Sequence, residues 1–263
     1  MRIFRIFTAI YLILAVMLPV AGVATAQDAT FRKSDIVRLL GQLPEITPIR
    51  GDMAALGFEG EKLDLAVAQI ERMLRDPLIA GNIADRVIAA SRPSVRSVEA
   101  GGLFWPLVDR GLGHLRPREL EYFYKVEQAM LKALPVRECG LTIKEKLPPA
   151  RLAKATGRVA ARLNTPALKE YYRIQFKAAR FGASRDVARL GAEEEVRAAA
   201  TINEALGKSL ATRTDGAALM RAYRNLDRVS NRRACEAGRV FMDAVLSMEG
   251  RELNNALILL STP

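Results

Sequence analysis

The chain has 263 residues, of which 50% are hydrophobic, 26% are charged and 6% are aromatic, and its formal net charge is +11. This composition excludes an intrinsically disordered protein, which lacks the apolar residues that offset the entropy cost of folding. One His and two Cys leave very little material for a metal site built from these residues. We therefore expect neither a metal ion nor another cofactor.

Residues 1–26 have the layout of a secretory signal peptide. Arg2 and Arg5 precede an uncharged run of 21 residues, which ends in a small-x-small pattern. A short basic start, an apolar centre and such an ending are typical of a cleaved signal. We predict cleavage after Ala26 and a periplasmic or secreted bacterial protein. A retained membrane anchor is the alternative, because 21 apolar residues can span a bilayer.

The remaining segments have helical hydrophobic periodicity, and none shows sustained strand alternation. We expect an all-α, irregular multi-helix bundle of about nine helices arranged as antiparallel hairpins. In the first half, Pro and Gly residues predict irregular connections over residues 41–60 and 92–115. We expect residues 27–263 to form a single domain, and a subdomain boundary near residue 148 is the alternative.

Export to an oxidising compartment changes the chemistry expected of the two cysteines. Cys139 and Cys235 form an even pair, and in a periplasm such a pair favours a disulfide. Pro135 and Gly140 place Cys139 in a loop after a helix, whereas Cys235 lies near the start of a helical pattern. The predicted bridge staples that loop to a C-terminal helix and stabilises the fold by about 4 to 5 kcal/mol.

The second half of the chain has short connectors between helical patterns, which favour antiparallel neighbours. The predicted helices of this half are at roughly residues 150–163, 166–181, 185–207, 215–227, 232–248 and 250–260.

The positive charge is concentrated in residues 144–190, which hold twelve Lys or Arg and three Asp or Glu. Their net charge of +9 equals the whole surplus of residues 27–263. Helical geometry places the cations on one face of each of the first two helices of this half. The first stripe comprises Arg151, Lys154, Arg158 and Arg162. The second stripe comprises Lys169, Arg173, Lys177 and Arg180.

The stripes have two interpretations. If their helices pair, the cations form one anion-binding surface, because Arg holds phosphate or carboxylate in a bidentate fork. Alternatively, they are ordinary solvated faces that nearby acids, such as the glutamates at 193–195, neutralise. Tyr172 and Phe176 border the second stripe and place rings beside the cations, although rings at such positions more often contact the core.

We expect an exported, non-enzymatic binding or scaffold protein that uses the cationic surface over about residues 151–180. Its expected partner is an anionic envelope polymer, lipid head groups or an acidic protein. Nucleic acid is disfavoured as a partner, since an exported protein rarely meets it, although the electrostatics would be the same. A holding chaperone for exported chains, with acidic unfolded clients, is one alternative.

The other alternative is a hydrolase of cell-wall polymers that uses a carboxylate in residues 109–127. Glu119, Glu121 and Glu127 lie in or near one predicted helix, and paired carboxylates can cleave glycans. His114 is the one imidazole and a candidate general base. The sequence contains no nucleophile elbow, P-loop, zinc-protease or dinucleotide-binding motif, so we assign no catalytic residue.

Overall fold

The computed structural model describes residues 32–46, 48–90 and 104–262. The predicted signal peptide, residues 1–26, and its cleavage site lie outside these ranges. Within them the chain is all-helical, as predicted, with thirteen α-helices and no β-strand. No helix of these ranges combines the length and apolar character that crossing a bilayer requires.

The first seven helices are α1 (Lys33–Ile46), α2 (Ile49–Ala55), α3 (Gly60–Arg75), α4 (Pro77–Ala90), α5 (Trp105–Leu112), α6 (Pro117–Ala133) and α7 (Val136–Ile143). The next six are α8 (Pro149–Ala160), α9 (Thr165–Ser184), α10 (Ala192–Ala211), α11 (Gly216–Arg224), α12 (Asn231–Leu246) and α13 (Gly250–Ser261). A single 3-10 turn, Leu226–Arg228, connects α11 to α12.

The helix count of about nine was too low because α2, α5 and α7 occupy segments that we predicted to be irregular. The prolines of these segments sit where a helix tolerates them. Pro48 directly precedes α2, Pro106 lies in the first turn of α5, and Pro135 directly precedes α7. A proline before or within the first turn removes no intrahelical hydrogen bond, so it marks a helix start as well as a break.

Helix α9 lies at the centre of the packing. Its largest contact is with α5, and it also packs against α3, α4 and α6. Two glycines permit the close crossing with α5. A Cβ on Gly111 would lie 1.8 Å from the carbonyl oxygen of Ala178, and one on Gly182 would lie 1.9 Å from that of Leu107. Only glycine fits at these two points, so α9 is held in direct backbone contact with α5.

The predicted disulfide is confirmed. Cys139 and Cys235 are bonded, with their Cα atoms 5.2 Å apart, and the bond joins α7 to α12. Cys139 lies within a helix and not in the predicted loop. Gly140 allows α7 and α12 to touch, because a Cβ there would lie 1.9 Å from the carbonyl oxygen of Asn231.

Helices from both sides of residue 148 pack together. Besides the disulfide, α12 contacts α6 and α7, and α9 contacts α3 to α6. The buried hydrophobic side chains of both halves form one cluster. The number of domains nevertheless stays a prediction.

The two helices that carry the stripes are not each other's main packing partners. Helix α8 lies chiefly against α6 and α7, whereas α9 is enclosed by α3, α4, α5 and α6. The antiparallel hairpin that would align the stripes is therefore not a principal contact of the fold.

Candidate anion-binding site

The first stripe is exposed and free of ion pairs among the described residues. Arg151, Lys154 and Arg158 lie on one face of α8, and Arg162 lies in the turn that follows it. All four are solvent-exposed, and no carboxylate of the described ranges pairs with them. Like charges spaced three or four residues apart repel by a few tenths of a kcal/mol per pair. An arriving anion relieves that repulsion.

The opposite face of α8 packs in the hydrophobic core. Ala155, Val159 and Ala160 are buried, and Leu152 packs against the core from a half-buried position. At the C-terminal end of α8, the Lys62 ammonium donates to the carbonyl oxygen of Ala161 at 2.5 Å. This contact brings a further positive charge to the end of α8, where the helix dipole favours cations.

The second stripe differs because acids neutralise most of it. Arg173 pairs with Glu170 at 2.7 Å and with Glu119 at 2.9 Å, and Lys177 pairs with Glu119 at 2.6 Å. Arg180 pairs with Asp76 at 3.3 Å. Lys169 is exposed and has no ion pair among the described residues.

The sequence suggested the glutamates at 193–195 as the acids that neutralise the cations. None of these three glutamates pairs with the second stripe among the described residues. Glu193 pairs with Arg197, and Glu194 pairs with Arg251. The acids that do neutralise the second stripe come from α6, from α9 itself and from the junction of α3 and α4.

Glu119 ties α6 to α9. Its carboxylate accepts the backbone N–H of Arg116 at 3.2 Å, which caps α6, and it also accepts hydrogen bonds from Lys177 and Arg173. Partial burial by itself raises the pKa of this carboxyl, but the three hydrogen bonds outweigh burial and hold the pKa below its ordinary value. The hydrogen bond from Arg173 likewise lowers the pKa of Glu170.

Asp76 has a similar double role. Its Oδ1 accepts the backbone N–H groups of Leu78 and Ile79, both at 3.1 Å, and so caps α4. Its Oδ2 pairs with Arg180 of α9. The α9 cations are therefore joined to the caps of two neighbouring helices.

A groove of about 470 Å³ runs beside α9, and we call it the α9 groove. Its charged lining residues are all positive. The groove is lined by Arg72, Leu78, Arg173, Phe176, Lys177, Arg180, Phe181, Ser184 and Arg185. Three members of the second stripe thus face a concave surface, whereas the first stripe lies on a convex helix face.

Two guanidinium groups of the α9 groove stack on rings. The Arg72 Cζ lies 3.6 Å from the ring centroid of Phe176, and the Arg185 Cζ lies 4.3 Å from that of Phe181. Such cation–π contacts are worth about 0.5–1 kcal/mol at exposed sites. Neither arginine has an ion pair among the described residues.

Sequence reasoning missed Arg72 and Phe181 as members of a site. Arg72 lies in α3, far from α9 along the chain, and no local pattern connects the two helices. Phe181 lies in the α9 groove beside cations that come from more than one helix. The ring of Phe176, predicted beside the cations, does lie there, although it is also largely buried.

The three glutamates that a hydrolase would use, according to the sequence, each have an ion-pair or hydrogen-bond partner within the fold. Glu119 holds Arg173 and Lys177, and Glu121 pairs with Lys125 at 2.6 Å. Glu127 is only 2% exposed and accepts a hydrogen bond from the hydroxyl of Tyr171. This arrangement supplies no observation in favour of glycan hydrolysis.

Glu127 lies in a buried polar cluster between α6 and α9. Burial, reinforced by the charge of Asp109, raises the pKa of Glu127 well above its ordinary value despite the Tyr171 hydrogen bond. Burial also raises the pKa of Tyr171 and of Tyr124. The Oε2 atom of Glu127 has no hydrogen-bond partner among the described residues. Burial therefore favours the neutral form of this carboxyl in the folded protein.

His114 is half-buried and has a structural contact. Its Nε2 lies 2.7 Å from the carbonyl oxygen of Asp186, and its ring lies 5.9 Å from that of Phe181. The imidazole joins the end of α5 to the segment that follows α9. No observation places it beside a reacting group.

The described residues show neither a metal cluster nor a concentrated apolar patch. Within the described ranges, His, Cys, Asp and Glu form no group of three or more that suits a metal ion. Only four large hydrophobic side chains of these ranges are exposed, which gives no support to an extended apolar chaperone surface. They are Leu39, Leu78, Val136 and Val196.

Comparison with known proteins identifies no relative. No protein-family model matches the sequence, no curated protein matches it, and no solved structure matches its fold. The function must therefore be inferred from the geometry of the chain itself.

Proposed function

We propose that the protein is an exported, non-enzymatic helical protein that binds a polyanion of the cell envelope through the first stripe. The observation that carries the proposal is the row of four exposed cations on and just after α8, which have no carboxylate partner among the described residues. The fold supplies acids to the second stripe and leaves the first stripe to solvent.

The spacing of the first stripe suits a partner with repeated charges. Arg151 and Arg158 are seven residues apart in one helix, which corresponds to roughly 10 Å along its axis. Arg162 extends the row by about one more turn. Successive phosphate or carboxylate groups of a polymer, or of adjacent head groups, can meet successive cations, and each guanidinium offers a bidentate fork.

We expect α8 to bind its partner through charged side chains and not by inserting an apolar face into a membrane. A helix that lies in a membrane surface buries its apolar face in the lipid. The apolar face of α8 is already packed in the core through Ala155 and Val159. We therefore favour an anionic polymer over the lipid bilayer, and an acidic protein as the next alternative.

The test measures binding of the full chain to isolated cell-wall sacculi, to polyphosphate and to phosphatidylglycerol vesicles, at low and at high salt. We expect binding to the polymers that weakens as salt screens the charges. Binding that does not respond to salt contradicts the proposal, as does an absence of binding to all three probes.

A matched pair of variants locates the surface. Arg151→Glu, Lys154→Glu and Arg158→Glu together should abolish polymer binding without lowering thermal stability, because these side chains make no ion pair among the described residues.

The control reverses three exposed cations of the α11 region, Arg221→Glu, Arg224→Glu and Arg228→Glu, and so changes the net charge equally. If both variants lose binding to the same extent, the interaction depends on total charge and the assignment to α8 is wrong.

A further inference from the structure

The α9 groove has a combination of features that the proposed function does not use. Among the described residues, every charged side chain of its lining is a Lys or Arg and none is a carboxylate. The same groove exposes apolar surface, since Leu78 is 42% exposed and Phe181 is half-buried. A volume of about 470 Å³ lies within the usual range for small-molecule sites.

Two of the three acids that pair with these cations lie behind the groove, whereas Glu170, which pairs with Arg173, is 41% exposed on α9 itself. Asp76 and Glu119 have side chains that are only 9% and 12% exposed, and neither lines the groove. They fix Arg180, Lys177 and Arg173 in place while leaving the positive groups at the groove surface. Cations held by existing ion pairs lose less side-chain entropy when an anion binds.

Arg72 and Arg185 are the cations of the groove that remain available for a bidentate contact. Each guanidinium is stacked on a ring, Arg72 on Phe176 and Arg185 on Phe181. A cation–π contact does not use up the N–H donors of a guanidinium, which form the fork that matches a phosphate. Neither side chain makes an ion pair or a hydrogen bond among the described residues.

We propose that the α9 groove binds a small organic anion in which one phosphate group is joined to an aromatic or short aliphatic body. The phosphate contacts Arg72 or Arg185 together with the α9 cations. The apolar body covers Phe181 and Leu78. This inference does not rest on the proposed function, since it involves another surface, another ligand size and an apolar contact that a polyanion does not need.

The test compares three soluble probes by calorimetry on the full chain. We expect 1-naphthyl phosphate to bind about tenfold more tightly than inorganic phosphate, because it also covers apolar surface, and we expect 1-naphthol not to bind. Equal affinities for naphthyl phosphate and inorganic phosphate would overturn the proposal. Vesicles that carry phosphatidic acid distinguish a lipid head group from a free ligand as the source of the same chemistry.

Arg72→Gln with Arg185→Gln should weaken naphthyl phosphate binding about tenfold or more, because two charge-assisted contacts are lost. The control Arg221→Gln with Arg224→Gln makes the same change in net charge on α11, outside the groove, and should leave the affinity unchanged. Equal effects of the two variants would refute the assignment.

The charge reversals in the first stripe separate this inference from the proposed function. The variant with Arg151→Glu, Lys154→Glu and Arg158→Glu should lose polymer binding and retain naphthyl phosphate binding. Loss of both activities in that folded variant contradicts a separate site in the α9 groove.

Discussion

Helices α8 and α9 carry cations at nearly the same spacing, yet the fold uses the two sets differently. In α9, Arg173, Lys177 and Arg180 are joined to acids that cap α6 and α4 or lie on α9 itself. In α8, the corresponding side chains have no such partner among the described residues. Similar sequence patterns can therefore be paired with acids in one helix and left without such partners in the next, and the position of the neighbouring acids decides which.

The largest effect is expected from removal of the disulfide, which supports the side of the molecule that carries α8. Cys139→Ser with Cys235→Ser should lower the free energy of unfolding by about 4 to 5 kcal/mol, because the bond closes a loop with a sequence separation of 96. Denaturant unfolding measures the loss.

Hydrogen exchange on the same disulfide variant sharpens the comparison. Helix α8 packs on α7, which the bond anchors, so its amides should lose more protection than those of α9, whose largest contact is with α5. Equal loss in both helices would show that α8 does not depend on α7 for its support.

A pair of glycine substitutions compares how tightly the two helices are enclosed. Gly182→Ala should destabilise the fold by about 3 kcal/mol, because the new Cβ meets the backbone of α5. Gly157→Ala in α8 meets the flexible end of Leu56 at 2.8 Å and gains helix propensity, so its effect should stay within about 1 kcal/mol. Similar losses in thermal unfolding would contradict the enclosure of α9.

Glu127, the buried carboxyl against α9, should make the free energy of unfolding depend on pH. Burial holds the pKa of Glu127 well above 4.5 in the folded state. Between pH 4.5 and that raised pKa, the folded protein retains a proton that the unfolded chain loses. The free energy of unfolding therefore falls by about 1.4 kcal/mol per pH unit as the pH rises through this window.

Glu127→Gln should remove that slope and stabilise the protein at pH 7, because the buried amide stays neutral without binding a proton. Urea unfolding of both proteins across the pH range measures the slope. Glu121→Gln is the control, because Glu121 is only half-buried and pairs with Lys125. Parallel pH profiles for the wild type and Glu127→Gln would show that the carboxyl is not buried in its neutral form.

The smallest effect on stability is expected from breaking an ion pair of α9. It is compared with removing a cation of α8 that has no ion pair among the described residues. Glu119→Gln should lower the free energy of unfolding by about 1 kcal/mol at neutral pH. The carboxylate of Glu119 pairs with Lys177 and Arg173 and also caps α6. Because the folded-state pKa of Glu119 is lowered, this stability exists above the unfolded pKa and disappears as pH falls through the folded one. Lys154→Gln in α8 should change stability by no more than a few tenths of a kcal/mol.

Much of the fold was predictable because its signals are local. Helical periodicity and the absence of strand alternation indicated the fold class, and the pairing of Cys139 with Cys235 followed from the existence of only two cysteines. The cap of α4 is local as well, since Asp76 directly precedes Pro77 and accepts the backbone N–H groups of Leu78 and Ile79.

The missed helices show where local signals fail. In α5 and α7, glycines were interpreted as breakers of a chain that would otherwise be helical. Gly111 and Gly140 instead allow another backbone to approach, and that requirement exists only once α9 and α12 are in place. A glycine that ends a helix and a glycine that accommodates a neighbour are identical in sequence.

The sequence by itself determined that the described chain is helical, that one disulfide ties it and that its positive charge is concentrated in two stripes. These properties depend on composition and on spacing along the chain. Only the tertiary structure decided which stripe remains unneutralised, because Glu119 and Asp76 reach α9 through the packing of α6, α3 and α4 around it. It also placed Arg72 against Phe176, since a groove between distant helices has no pattern along the chain.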